Sequence, residues 1–146
     1  MDASNYYKDQ FRDLNVNRSG NKVAPHKAIL LLSVIELIEN GFITTPFIEI
    51  SKPLEDRFKQ NWRKYVSKDR GYSCKMYYPF FHLSSSPFWE LVKTESYDKQ
   101  NEYSSMKSLR RNFKGAVMAS DLFGLIQSPI HRENLKIILI KTYLSY

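Results

Sequence analysis

Residues 24–40, which read APHKAILLLSVIELIEN and are followed by Gly41, contain the longest apolar run of this 146-residue chain. Pro25 suits the first turn of a helix, where its missing N–H group is not needed. Gly41 suits the position just beyond a helix end, where a left-handed backbone is common. Between these two residues the side chains of residues 28–38 are apolar almost all round. This pattern predicts a central helix that is buried on every side.

The two basic residues at the start of this helix, His26 and Lys27, allow two interpretations. The helix dipole disfavours positive charge at that end by a few tenths to about 1 kcal/mol. A bound anion would offset this unfavourable charge. The Lys27 ammonium, the His26 imidazole and the free backbone N–H groups of the helix start could bind such an anion together. The alternative is a helix-end histidine beside a solvated lysine, and the residues alone leave both open.

The remaining pattern predicts an α+β protein, mainly helical, with a small antiparallel β-hairpin or sheet, in a single domain over residues 1–146. Leu54, Phe58 and Trp62 fall at helical steps in a helix that Ser51 can cap. Residues 76–83 and 88–93 are predicted to be two strands of a hairpin. The other expected elements are a helix near residues 4–16, a loop at 15–21, a β-type segment within 42–50, a helix at 106–114, a short helix at 121–127 capped by Ser120, and a last helix from Ser128-Pro129 to about Tyr143.

An aromatic run, Tyr77-Tyr78-Pro79-Phe80-Phe81-His82-Leu83, lies in the first of these two expected strands. Proline cannot donate a hydrogen bond to a central β-ladder, so the segment is predicted to be an edge or a rim. Phe80 and Leu83 can face the core, while Tyr78 and Pro79 lie at the start. Ordinary core packing is the alternative for these aromatic residues.

The formal charge is +7, from 22 basic and 15 acidic residues, with an isoelectric point near 9.4. Such a surplus favours a polyanionic partner, although a merely basic surface gives the same composition. Lys107, Arg110, Arg111 and Lys114 are predicted to share one helical face, which is either a solvated face or a phosphate-contacting one.

Several kinds of chemistry find no support in the residues. The single cysteine, Cys74, excludes an internal disulfide framework and a multi-cysteine zinc site. The three histidines form no metal-binding spacing, and no glycine-rich phosphate loop is present, so no metal or cofactor is expected. A Cys74–histidine nucleophile pair has no third, orienting residue. No signal peptide or membrane-length apolar run is visible, which predicts a cytoplasmic protein.

An ordered set of motifs resembles the DNA sulfur-binding domains that precede HNH nuclease domains in restriction endonucleases acting on phosphorothioate-modified DNA. The resemblance extends over nearly the whole chain. One departure is Ala28, which stands where many members of that family have proline. The matching residues are Ala24-Pro25-His26-Lys27, Leu30-Leu31-Leu32, Gly41, Phe58, Trp62, Tyr65, Tyr78-Pro79-Phe80-Phe81-His82-Leu83 and Phe88-Trp89-Glu90-Leu91.

The resemblance implies a binding module for double-stranded DNA rather than an enzyme. It implies that Tyr78 and Pro79 form an exposed apolar lip for the sulfur atom, while His26 and Lys27 hold the modified phosphate. A later arginine completes the pocket in that family, for which Arg110 or Arg111 is the candidate here. Further candidates for contacts to the DNA backbone are Arg18, Lys22, Lys107 and Lys114.

Other functions remain open from the sequence. One is a general nucleic-acid-binding module without sulfur preference. Another is a metal-dependent nuclease that uses His82 or His26, and a third is a protein–protein interaction module. No HNH motif occurs in the chain, so cleavage would require a nuclease domain that follows in a longer protein, or a separate partner.

Overall fold

The computed structural model describes residues 3–19 and 22–145 and has an α+β fold built around one helix, α2 (His26–Glu39). This helix packs against α3, α4, α6 and α7. Its side chains from Lys27 to Ile35 are all buried, together with Leu37 and Ile38. The helix ends at Glu39 with Asn40 as its C-cap, and Gly41 follows with a positive φ of 80°. The predicted central helix is therefore confirmed. The helices are α1 (Ala3–Arg12), α2 (His26–Glu39), α3 (Lys52–Tyr65), α4 (Tyr77–His82), α5 (Met106–Asn112), α6 (Ser120–Ile126) and α7 (Pro129–Leu139), which continues into a π-helical turn (Ile140–Leu144).

A three-stranded antiparallel sheet with the order β3-β5-β4 lies beside the helices. The central strand β5 follows α5 directly, and its burial alternates because Phe113, Ala116 and Met118 point into the core. A separate two-stranded ladder joins β1 to β2. The strands are β1 (Arg18–Ser19), β2 (Lys22–Val23), β3 (Phe47–Glu49), β4 (Trp89–Lys93) and β5 (Phe113–Met118).

The helix α3 follows its predicted pattern. The Ser51 side chain accepts a hydrogen bond from the Leu54 N–H group, at 3.3 Å, and so caps the helix. Leu54, Phe58 and Trp62 are buried against the core, as expected from their spacing. The last helix also begins at Pro129 as predicted.

The predicted hairpin of residues 76–83 and 88–93 is wrong, because the first half of it is the helix α4. Met76, Phe80 and Leu83 are buried at steps of four and three residues, which is a helical period. Pro79 is the third residue of α4, where a backbone N–H group would have no intrahelical acceptor, so proline is tolerated. The second half is a strand, β4, but it pairs with β5.

Three further expectations are corrected. The helix expected at residues 106–114 ends at Asn112, so Lys114 lies on β5 and does not share a helical face with Lys107. The loop expected at residues 15–21 contains β1, while Gly20 and Asn21 lie outside the described residues. Ser120 is the first residue of α6 and its side chain makes no cap hydrogen bond.

Candidate nucleic-acid interface

A surface cavity of about 270 Å³ lies where the start of α2 meets α4 and the segment after α1. Four residues predicted from the sequence meet in its wall, namely His26 and Lys27 on α2 and Tyr78 and Pro79 on α4. The remaining lining residues are Asn15, Val16, Asn17, Ala24, Tyr72, His82 and Ser85. The fold thus brings the start of the central helix and the aromatic run together at one opening.

Lys27 is the buried cation of the cavity. The residue is only 7% exposed, and burial lowers the pKa of its ammonium group. Nζ donates to the Asn15 carbonyl oxygen at 2.6 Å and to Ser85 Oγ at 3.2 Å. Within residues 3–19 and 22–145 no carboxylate lies within ion-pair distance, and the third ammonium proton has no acceptor. A buried cation of this kind is well suited to an anion that enters the cavity.

His26 is held at the cavity by a hydrogen bond to the neighbouring loop. Its Nε2–H group donates to the Ser73 carbonyl oxygen at 2.8 Å, so the neutral ring has a free acceptor at Nδ1. Burial lowers the pKa of His26, and the nearby charges of Lys75 and Arg70 lower it further. The Ser73 hydrogen bond opposes this effect. His26 is therefore mainly neutral near pH 7 when the cavity holds no anion.

Tyr78 lies between two histidine rings. Its ring stacks on His26 with centroids 5.5 Å apart and contacts His82 at 4.4 Å. Asn17 Nδ2 donates to the Tyr78 hydroxyl at 3.5 Å. The predicted exposed lip is wrong for Pro79, which is buried, while Tyr78 is half-buried. The two residues nevertheless supply carbon surface to the cavity.

His82 belongs to the aromatic motif and is not among the predicted DNA-binding residues, yet it lies in the cavity wall. Burial and the positive charge of Lys27 lower the pKa of its imidazole. Tyr103 contacts the His82 ring, with centroids 4.9 Å apart, and also the Tyr78 ring, at 6.5 Å. No group of three or more His, Cys, Asp or Glu side chains within the described part of the chain is arranged to hold a metal ion.

The predicted arginines lie outside the cavity. Arg110 and Arg111 are exposed on α5, and Arg110 Nη2 donates to Glu55 Oε1 at 2.7 Å. Lys107 and Lys114 are also exposed and do not line the cavity. That one of the two arginines completes the binding site stays a prediction.

Arg18 and Lys22 follow the cavity-lining residues 15–17 along the chain and do not line the cavity themselves. Both are exposed on the β1–β2 ladder, which directly follows the cavity-lining residues Asn15 and Asn17. The Asn17 carbonyl oxygen accepts a hydrogen bond from the Ala24 N–H group at 2.9 Å, which holds the ladder beside α2. Their contact with DNA stays a prediction.

The sequence does not predict two polar residues of the site, Asn15 and Ser85, or the buried cation Arg70, because the fold alone brings them to it. Asn15 and Ser85, the partners of Lys27, are 12 and 58 residues away from it along the chain. Arg70 is buried, donates to the Val23 carbonyl oxygen, and lies over the Tyr72 ring at 5.7 Å. Its position in a polar loop gave no sign of burial.

Two comparisons with known proteins point to the same kind of domain, and a third finds no match. A family model described as "ScoMcrA-like, DNA sulfur-binding domain" matches residues 5–146. Among solved structures, the fold is similar to the "Sulfur binding domain of SprMcrA complexed with phosphorothioated DNA", with a TM-score of 0.70 and 17% sequence identity over 99% of this chain and 87% of that chain. At this identity the likeness is one of fold. A search of curated proteins found no match.

Proposed function

Because this chain belongs to the ScoMcrA-like family of DNA sulfur-binding domains, we propose that it binds double-stranded DNA that carries a phosphorothioate. The sequence resemblance to this family is thereby confirmed. The observation that carries the proposal is the buried Lys27 ammonium, which faces no carboxylate among the described residues, in a cavity walled by Tyr78 and Pro79. Such a site combines a charge for an anion with an apolar contact for one of its atoms.

The physical basis of sulfur selection is the difference in hydration between sulfur and oxygen. A phosphorothioate keeps the negative charge of a phosphate, and one non-bridging oxygen is replaced by a larger, more polarisable and more weakly hydrated sulfur. An oxygen placed against Tyr78 and Pro79 would lose its hydrogen bonds to water without replacement, which costs about 1–3 kcal/mol. Sulfur loses less, so the apolar wall favours it.

The cationic side of the cavity holds the rest of the modified phosphate. Lys27 can donate its third ammonium proton to a non-bridging oxygen, and a charge-assisted bond of this kind is stronger than a neutral one. His26 can accept a proton at Nδ1 and then donate it to the anion. In a restriction system such a chain would be the reader of the modification, with cleavage supplied by a nuclease domain or partner.

A general nucleic-acid-binding module is the second candidate, and the charge of +7 favours it equally well. The two candidates differ in one measurable respect. A general binder has the same affinity for modified and unmodified duplexes, because its contacts are to charge alone.

The experiment is an anisotropy titration of one short duplex with a single phosphorothioate, against the same duplex without it, at about 150 mM salt. The two phosphorothioate diastereomers are titrated separately, because a cavity of fixed handedness distinguishes them. We expect a preference of tenfold or more, about 1.4 kcal/mol, for one diastereomer. Equal affinities across several sequence contexts would leave the general binder as the function.

The variant that tests the apolar wall is Tyr78→Ala, with Tyr78→Phe as its matched control. The first removes the ring and should abolish the preference for sulfur. The second keeps the ring and loses only the hydroxyl, whose bond to Asn17 is long at 3.5 Å, so the preference should persist. A preference that survives Tyr78→Ala would contradict the role of this wall.

A further inference from the structure

Basic side chains on α3 and in the following loop lie beside the cavity and outside its lining. Lys59 and Arg63 are both exposed and are four residues apart, so they share one face of α3. Lys75 is exposed in the loop of residues 67–76. We refer to Lys59, Arg63 and Lys75 as the basic flank.

Two contacts of His26 fix the basic flank next to the cavity. Trp62, the neighbour of Arg63 on α3, contacts the His26 ring with centroids 4.8 Å apart. Ser73, two residues before Lys75, accepts the hydrogen bond from His26 Nε2 at 2.8 Å. The end of α3 and the loop therefore both adjoin a residue of the cavity wall.

The charges of the basic flank act on groups at this edge. Burial raises the pKa of the Cys74 thiol, and the charges of Lys59 and Arg63 lower it. The charge of Lys75 lowers the pKa of His26 in the same way. These pKa shifts and the two contacts of His26 both indicate positive potential between α3, the loop and the cavity.

Carboxylates neutralise this flank only weakly. Arg63 and Lys75 form no ion pair among residues 3–19 and 22–145. Lys59 lies 3.9 Å from Glu55, at the outer limit of an ion pair, and Glu55 is also contacted by Arg110 at 2.7 Å. Glu55 therefore holds an α5 cation more closely than it holds the flank. Asp69 is exposed in the same loop, where Lys68, Arg70 and Lys75 outnumber it.

From this arrangement we propose that the DNA duplex extends from the cavity over the basic flank, whose three cations contact backbone phosphates without reading sequence or sulfur. The inference rests on the proposed DNA binding and adds the direction in which the duplex lies. Backbone contacts to cations release counterions, and each adds about 0.9 to the slope of log affinity against log salt concentration. The flank thus supplies affinity that is shared by modified and unmodified DNA.

The test compares two variants that remove the same charge from different elements. The first is Lys59→Gln with Arg63→Gln on α3. The matched control is Lys93→Gln with Lys141→Gln, two exposed cations that do not line the cavity and are not among the predicted DNA contacts. Affinity for modified and unmodified duplexes is measured by anisotropy from 50 to 300 mM salt, and thermal melting checks that both variants fold.

We expect the α3 variant to weaken binding of both duplexes by the same factor, tenfold or more, and to reduce the salt slope by about 2. Lys75→Gln should reduce it by about 1. The control variant should stay within twofold of the unaltered protein. A folded α3 variant with an unchanged salt slope, or a larger loss in the control variant, would overturn the inference.

Failure of this inference and failure of sulfur recognition give different results. A sulfur preference that persists while the α3 variant leaves the slope unchanged overturns the basic flank alone. A reduced slope in a protein without sulfur preference supports the flank as a DNA surface and removes sulfur recognition.

Discussion

Lys27 combines a cost in stability with a role in binding. Its ammonium group is buried without a carboxylate among the described residues, and its bonds are to one carbonyl oxygen and one hydroxyl. Burial of a charge that is not fully paired costs stability, and replacing it with an apolar residue of similar volume is often neutral or stabilising. Stability and affinity should therefore respond in opposite directions to its removal.

Lys27→Met is expected to bind the modified duplex at least tenfold more weakly, a loss of about 1.4 kcal/mol. Its melting temperature should equal or exceed that of the unaltered protein. Anisotropy titration and thermal melting measure the two effects. Lys141→Met, which removes an exposed cation outside the cavity lining, is the control and should preserve the preference for sulfur. A large fall in melting temperature for Lys27→Met would show that Lys27 is mainly structural.

The two cavity histidines make binding dependent on pH. In the folded protein the pKa values of His26 and His82 lie below the usual 6.5, mainly because of burial. An anion in the cavity favours the charged imidazole and raises both values. Affinity for the modified duplex should therefore rise as pH falls through 6.5, and level off below the pKa of the empty protein.

Folding has the opposite dependence, since the unfolded chain binds protons more readily than these buried rings. Stability contributed by the neutral histidines is fully present above pH 6.5 and is lost as pH falls below it. His82→Gln should flatten both profiles between pH 7.5 and 5.5, in titrations and in thermal melts. His131→Gln on α7, outside the cavity lining, is the control for binding and should preserve the preference for sulfur.

At the scale of elements, the central strand β5 depends on a glycine. A Cβ atom at Gly115 would lie 2.3 Å from the Ile48 carbonyl oxygen of β3 and 2.8 Å from the Phe47 ring. The backbone atom cannot move without breaking the β3–β5 pairing, so the two strands can approach only because this residue has no side chain.

Gly115→Ala is expected to destabilise the fold by about 1–3 kcal/mol through overpacking. The same substitution at Gly124 of α6 meets no atom within 4 Å and should stabilise the protein by about 0.4–1 kcal/mol. Urea unfolding of both variants measures the contrast. Equal effects of the same sign would contradict the close approach of β3 to β5.

The helices that were predicted correctly have strong periodic patterns. Leu54, Phe58 and Trp62 repeat at helical steps in α3. The apolar run of α2 is long and apolar on every side, which predicts a buried helix. The strand β5 was missed because FKGAVM follows a basic helical stretch without a break and contains glycine, which is unfavourable in strands. The helix α4 was misread because aromatic residues and Pro79 favour an edge strand locally, whereas packing against α2 determines the helix.

The site was predictable to the extent that its residues lie in short motifs. His26, Lys27, Tyr78 and Pro79 come from two such motifs and meet in one cavity. Asn15, Ser85 and Tyr72 have no local pattern, because ordinary loop residues become lining residues only when α2 and α4 pack together. The proposed direction of the duplex rests on which cations are weakly neutralised. Spacing along the chain does not reveal this, because it depends on ion pairs between distant residues such as Arg110 and Glu55.

At the scale of the whole molecule, Tyr143 connects the last helical turn to the first helix. Its hydroxyl donates to the Phe11 carbonyl oxygen at 2.6 Å and accepts from the Leu14 N–H group at 2.9 Å, in a buried environment. Leu14 precedes the cavity-lining residues Asn15 and Asn17. Tyr143 therefore supports the backbone that accepts the Lys27 hydrogen bond.

Tyr143→Phe leaves a buried N–H group and a carbonyl oxygen without this partner, so the free energy of unfolding should fall by about 1–3 kcal/mol. Affinity for the modified duplex should fall with it, because Asn15 is held less firmly. Urea unfolding and anisotropy titration measure both losses. Tyr65→Phe, whose hydroxyl makes no hydrogen bond within the described residues, should alter neither value by more than about 0.5 kcal/mol.

Within the whole described fold, no helix has both the length and the apolar character required to cross a membrane.

The cavity is built directly on the core around α2. Lys27 is a buried residue of α2 itself, and Pro79 is a buried residue of α4, which packs against α2. Changes in core packing should therefore be transmitted to the binding site.

The contact between Trp62 and His26 gives this protein a built-in optical signal. The chain has two tryptophans, and Trp89 is enclosed in the core with its indole N–H group bonded to the Phe80 carbonyl oxygen. Trp62 instead lies 4.8 Å from an imidazole of the cavity wall. An imidazolium quenches indole emission, so an occupant that charges or turns His26 dims Trp62 while Trp89 provides a constant background. Intrinsic fluorescence can thus follow occupancy of the cavity in unlabelled protein.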